Sequence, residues 1–167
     1  MTRSGLPLCV TDSNIWVDLY LSRLMEMAFS LPYRFAAPDV IIEELERPSG
    51  SDLVACGLQV KELSGAQVLK VADLAGRHLK PSRQDLFALV LAEELGAILL
   101  TGDGALRDLA REVGVEVHGT IWVLDQMVDH DIIGVHERAE ALKLMVNSGS
   151  RFPEDEVNIR LLRDQGR

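Results

Sequence analysis

Four carboxylates have the type and placing to do chemistry: Asp12, Glu44, Asp85 and Asp103. Asp12 closes the short apolar run LCVTD (8–12), and Asp103 stands between Gly102 and Gly104 just after the apolar AILLT. An acid at the end of a buried strand either caps the following helix or faces a ligand beyond the sheet edge. Glu44 lies four residues after Val40 and three after Ile41, so helical spacing places it on the face those residues must bury. Asp85 sits three residues after Ser82, the capping-box position, yet Ala88, Leu89 and Ala92 follow on its face, which turns that first helical turn toward the core as well. Four such charges meeting at one edge would repel by roughly 1 to 4 kcal/mol per close pair, so a cation is expected among them. Oxygen-only ligation with no clustered His or Cys suits a hard ion, Mg²⁺ or Mn²⁺. Gly102 and Gly104 then allow the tight turn that aims Asp103 at it.

Those acids need strands and helices to carry them. LCVTD reads as a strand and SNIWVDLYLSRLMEMAFSL as one long helix, with no internal Pro or Gly. YRFAA reads as a second strand, followed by the helix PDVIIEELER, closed by Pro48 and Gly50. The next segment, SDLVACGLQVKELSGAQVLKVADLAGRHL, divides into a short helix, a strand in LQVKEL and another helix. SRQDLFALVLAEELG is a helix with Ser82 as N-cap and Gly96 at its end, AILLT a buried strand, ALRDLAREVG a helix and VEVHG a strand. Strands alternating with helices of this length predict an α/β/α sandwich around a mainly parallel sheet of four to five strands. Residues 119–167 carry three helical patterns, TIWVLDQMVDHD, VHERAEALKLMVN and PEDEVNIRLLRD, and no strand signal. A single domain over 1–167 is expected, with an α/β core over about 1–118 and a helical extension after it.

Composition narrows the function. A net charge of −9 argues against coating nucleic acid with a broad basic surface. No apolar run approaches the roughly 20 residues that cross a bilayer, and the N-terminus lacks the h-region of a secretory signal, so a cytoplasmic protein is expected. Cys9 and Cys56 form no disulfide framework or metal knuckle and read as reduced packing residues.

The order and spacing of the acids resemble the PIN-domain family of metal-dependent ribonucleases. VTDSNIWVDL looks like that family's opening strand with its first acid, PDVIIEEL like its second-helix motif with the acid directly before Leu, and LLTGD like its closing T-x-D. HGTIWVLDQMVDHDIIG with the tail RFPEDEVNIRLLRDQG is similar to a prokaryotic subgroup related to VapC-type toxins. Two departures stand out: that subgroup often pairs acids where this chain has Gly102 and Asp103, and commonly has Glu where this chain has Asp85. The resemblance implies an endoribonuclease in which the acids hold one or two Mg²⁺ or Mn²⁺ ions and a bound water attacks an RNA phosphodiester in line. Asp12 and Asp103 would be direct ligands, Glu44 a ligand or water orienter, and Asp85 a support for a second ion or an outer water. Ser13, Asn14 and Thr101 would hydrogen-bond carboxylates, waters or a phosphate, or simply cap and bond strand ends. The resemblance also implies a small antitoxin as partner, and a homodimer.

Other residues read as structural. His78, His118, His130 and His136 lack ligand-like neighbours, Trp16 and Tyr20 read as core or dimer surface, and Arg151, Arg160, Arg163 and Arg167 belong to a solvated helix with interleaved acids. The alternative function is a PIN-like interaction module without catalysis. A receiver domain needs paired acids on the first strand and a late Lys, and a haloacid-dehalogenase phosphatase needs D-x-D where this chain has Asp12 and Asn14, so both are set aside.

Overall fold

The computed structural model describes residues 3–166. Its centre is β1 (Leu8–Thr11), joined by β2 (Arg34–Pro38), β3 (Gln59–Lys61), β4 (Ile98–Leu100) and β5 (Val117–His118) in a sheet of order β3-β2-β1-β4-β5. All four pairings are parallel. A parallel strand covered on both faces is apolar at successive positions, as β1 and β4 are. Cys9 and Leu100 enter one core, while Val10 and Leu99 enter the other.

The chain steps outward from β1 to β2 to β3, then crosses back to the far side of β1 for β4 and β5. That reversal puts the topological switch point between β1 and β4, where a crevice opens beyond the carboxyl ends of the strands. Thr11 pairs with Leu100 in the register, so the residues following each strand, Asp12 and Thr101, face each other across the seam.

In chain order the helices are α1 (Ser13–Leu21), α2 (Met25–Ala28), α3 (Asp39–Glu44), α4 (Gly50–Cys56), α5 (Gly65–Arg77), α6 (Arg83–Leu95), α7 (Gly104–Glu112), α8 (Thr120–Asp129), α9 (Val135–Asn147) and α10 (Glu154–Gln165). Ile15, Leu53, Leu124 and Leu142 bring α1, α4, α8 and α9 to one face of the sheet, and Ile41, Val71, Leu89 and Leu106 bring α3, α5, α6 and α7 to the other. The architecture is the expected α/β/α sandwich. Trp16 anchors α1 immediately after Asp12: its ring stacks on Phe29 at 5.0 Å and meets Phe35 edge-on at 5.5 Å. Its Nε1 donates to Thr11 Oγ1 at 2.7 Å, which satisfies the buried indole. Cys9 and Cys56 are free thiols, and among the described residues no helix is long and apolar enough to cross a membrane.

Three boundaries differ from expectation. The long first helix is two, because Ser22 Oγ turns back to the Leu19 carbonyl and Arg23 takes a left-handed conformation at φ 63°. The PDVIIEELER helix stops at Glu44, with Leu45 already extended. Gly50 does not close that helix but opens α4, where a β-carbon would lie 2.5 Å from Ile42 Cγ2. Only glycine permits that approach.

Candidate active site

Asp12 follows β1 as the N-cap of α1 and is 1% exposed. Its Oδ1 accepts from the Ile15 amide at 3.1 Å, and its Oδ2 accepts from Thr101 Oγ1 at 2.5 Å and from the Gly102 amide at 3.2 Å. Burial pushes its carboxyl up from 3.8 to about 6, although all three donors pull the other way, and the charge of Asp85 adds to the rise. Thr101 in turn accepts from the Asp103 amide at 3.1 Å, so one buried hydroxyl ties the ends of β1 and β4 together.

Asp103 is half-buried and caps α7, its Oδ2 accepting from the Leu106 amide at 3.0 Å. Asp85 is half-buried in the first turn of α6, and the expected capping box is complete: the Ser82 hydroxyl accepts from the Asp85 amide at 3.1 Å, and Asp85 Oδ2 accepts from the Ser82 amide at 3.2 Å. Burial raises the Asp85 carboxyl, with Asp103 adding to it. The expectation that Glu44 turns inward is corrected: it is exposed, since α3 ends on it and no further turn follows to bury that face. Glu44 Oε1 accepts from Gln84 Nε2 at 2.7 Å, which ties it to the first turn of α6 one residue before Asp85.

The charge of Asp103 thus acts on Asp85 and that of Asp85 on Asp12, with Glu44 tethered at the rim. Among the described residues no ion pair neutralises any of the four. Neighbouring carboxylates that find no cationic side chain among the described residues are, in kind, the oxygen donors of a hard divalent ion. The geometry is not a closed cage: among the described residues no three His, Cys, Asp or Glu side chains converge as one would require. Asp85 and Asp103 each spend one carboxylate oxygen, Oδ2, on a backbone amide, which leaves Oδ1 as the oxygen that could ligate. Of the other site candidates, Ser13 is half-buried at the start of α1 and Asn14 is exposed, its Cβ 3.9 Å from where a Gly102 β-carbon would lie.

Sequence reasoning missed two polar nodes. Asp18 is buried and accepts from Thr120 Oγ1 at 2.8 Å and Ser150 Oγ at 2.6 Å, and burial raises its carboxyl. The spacing rule applied to Glu44 would have found it, since Asp18 lies three residues after the buried Ile15. Asp125 accepts from Arg138 Nη1 at 2.9 Å and from Arg160 Nε at 2.8 Å, with a second, shorter contact from Arg160 Nη2. Arg160 therefore departs from the solvated role expected of it, whereas Arg151 and Arg163 are exposed and Arg167 lies outside the described residues. Trp16 is core as expected, Tyr20 is exposed, His78 is half-buried, His130 and His136 are exposed, and His118 stacks on Trp122.

A parallel sheet with a β1/β4 switch point and acids at its carboxyl edge defines an α/β protein of the class in which ligands bind beyond that edge. The chain belongs to the PIN-domain family: the family described as DUF3368, a PIN domain, matches residues 8–165. PIN domains are generally nucleases that use divalent metals. Among solved structures, the chain is similar to a PilT N-terminus domain protein from the hyperthermophilic archaeon Sulfolobus solfataricus P2, with 18% identity, 74% of this chain and 95% of that one covered, and a TM-score of 0.54. A weaker likeness is to VapBC2 from Rickettsia felis bound to a DNA fragment from its promoter, with 14% identity, 67% and 98% coverage and a TM-score of 0.47. No curated protein matches significantly.

Proposed function

We propose that this PIN-domain protein is an Mg²⁺- or Mn²⁺-dependent endoribonuclease, the toxin of a toxin-antitoxin pair, working in the cytoplasm as a single-domain protomer of a homodimer. One observation carries the enzymatic part: Asp12, buried at the β1/β4 seam, shares its surroundings with Asp85, itself influenced by Asp103, and among the described residues no cationic side chain pairs with them. A divalent ion bound there supplies a water acidic enough to be deprotonated near neutral pH and offsets charge on the leaving oxygen. Asp12 would hold such an ion with a carboxylate fixed by Thr101 and Gly102, and Asp103 and Asp85 would offer it the oxygens their helix caps leave free. Glu44, tethered at the rim by Gln84, would orient the attacking water or accept its proton. The antitoxin and homodimer readings are supported by the motif resemblance to VapC-type toxins.

The test is thermal melting with and without Mg²⁺ or Mn²⁺, together with RNA cleavage by wild type and Asp12→Asn. The expected result is a rise in melting temperature with metal and loss of cleavage in the variant; no thermal shift, with cleavage surviving the substitution, would sink the mechanism. A second reading, an interaction module without catalysis, is favoured by the capping roles of Asp85 and Asp103. It predicts a stable protein complex and no cleavage with any metal.

A further inference from the structure

Beside the acids lies a cavity of about 630 Å³ reached by the carboxyl ends of β4 and β5, the outer face of α7 and the segment joining α9 to α10. Asp12, Glu44, Asp85 and Asp103 do not line it; Gly102 links the cavity to Asp12, since its amide donates to that carboxylate while its surface forms part of the cavity wall next to Asn14. A chamber of this size accommodates a small organic ligand.

The wall has two chemistries. In a chain of net charge −9 it collects Arg107, Arg111 and Arg151. Arg107 and Arg151 make no ion pair among the described residues, and Arg111 reaches the exposed Asp108 only at 3.5 Å. A β-carbon built on Gly119 would lie 3.4 Å from Arg107 Nη1 and 3.5 Å from the Thr101 carbonyl oxygen, so the Arg107 guanidinium sits at the edge of β4 beside the residue that holds Asp12. Opposite charges in the wall are already engaged: Asp18 accepts from two hydroxyls, and Asp125 and Glu156 are paired with Arg160. The second chemistry is aromatic. His118 and Trp122 stack at 4.4 Å with 6° between their planes, and both line the cavity.

Unpaired guanidinium groups suit phosphate, and a wall of aromatic rings suits a base; single-stranded nucleic acid needs both, close to the bond that is cut. Resting on the ribonuclease reading, we propose that this cavity is a nucleotide subsite for single-stranded RNA. Arg107 and Arg151 hold a phosphate neighbouring the scissile one, and the His118–Trp122 wall takes its base.

Tryptophan fluorescence tests this without chemistry, because of the two tryptophans Trp16 is fully buried and Trp122 half-buried at the cavity. A short mixed-sequence RNA is titrated into full-length Asp12→Asn protein in EDTA, where nothing is cut. Quenching is expected, and it should vanish in a Trp122→Phe background. Arg107→Ala should weaken the apparent Kd about tenfold, the loss of one charge-assisted contact, and Arg107→Lys should recover part of it. In wild-type protein with Mn²⁺, Arg107→Ala should raise KM more than it lowers kcat. Should Arg107→Ala fail to fold, the exposed Arg151→Ala carries the same measurement. Cleavage by wild type with no quenching, and with Kd and KM unmoved by either variant, overturns the subsite and leaves the nuclease standing. Quenching that depends on Arg107, with no cleavage under any metal, keeps the subsite and removes the nuclease.

Discussion

The Thr101 hydroxyl donates to the Asp12 carboxylate at 2.5 Å across the seam between β1 and β4, and the same oxygen accepts from the Asp103 amide at 3.1 Å. Replacing it by valine keeps the shape and removes both bonds from a fully buried position, at a cost of about 1 to 3 kcal/mol. Because the Thr101 bond is the largest influence holding the Asp12 carboxyl down, Thr101→Val should also raise that carboxyl further. Thr101→Ser should restore both properties. Urea unfolding and the NMR titration of Asp12 read them out; a valine variant as stable as wild type would mean the bridge is dispensable.

The buried Asp12 binds its proton more tightly in the folded chain than in the unfolded one, where its carboxyl titrates near 3.8 rather than about 6. Its contribution is therefore most favourable below the unfolded value, and stability falls as pH rises through about 4 to 6. Above that window the metal-free protein carries a penalty on the order of 3 kcal/mol, at 1.36 kcal/mol per unit. Asp12→Asn should remove this falling limb, so that in EDTA at neutral pH the inactive variant melts above wild type. The gap should close at low pH, and divalent metal should restore the wild type alone. Identical pH profiles for the two proteins would show that burial imposes no such penalty on the ionised carboxylate.

These two predictions rest on parts of the site that were legible unequally. LCVTD and AILLT could be read because parallel strands covered on both faces are apolar throughout, and the Ser82–Asp85 box with Gly96 because caps are local chemistry. The left-handed turn at Arg23 could not, since no glycine marks it and the break depends on Ser22 bonding back to Leu19. Glu44 was misplaced because a periodicity argument assumes the helix continues, and α3 does not. The Asp18–Ser150 bond joins residues 132 apart in the chain, and Asp125 and Arg160 are 35 apart. Neither pairing follows from local spacing, because only the docking of the C-terminal helices creates it.

Asp85 has two roles that a pair of substitutions separates. Asp85→Asn keeps an amide oxygen to accept from the Ser82 backbone, so α6 should stay capped and the melting temperature should barely move. Ser82→Ala removes the hydroxyl that accepts from the Asp85 amide and should cost about 1 kcal/mol. If Asp85 supports metal, Asp85→Asn lowers cleavage at least about tenfold with stability intact, equivalent to about 1.4 kcal/mol of barrier. Full activity in that variant would assign Asp85 to the cap alone.

Asp125 ties the C-terminal helices together, and its two partners are not equivalent. The Arg138 side chain is 4% exposed with Nε lacking a partner among the described residues, so Asp125 is the carboxylate on which its buried charge depends. Arg160, 13% exposed, also reaches the Glu156 carboxylate and carbonyl on its own helix. Asp125→Ala therefore strands a buried guanidinium and should cost about 3 to 5 kcal/mol. Arg160→Ala should cost less, because Asp125 keeps Arg138. It should nevertheless loosen α10, which buries no residue of its own and would become the first site of limited proteolysis. Calorimetry on both variants and the order of proteolytic fragments check this asymmetry; equal destabilisation would mean that Arg138 finds another partner once Asp125 is gone.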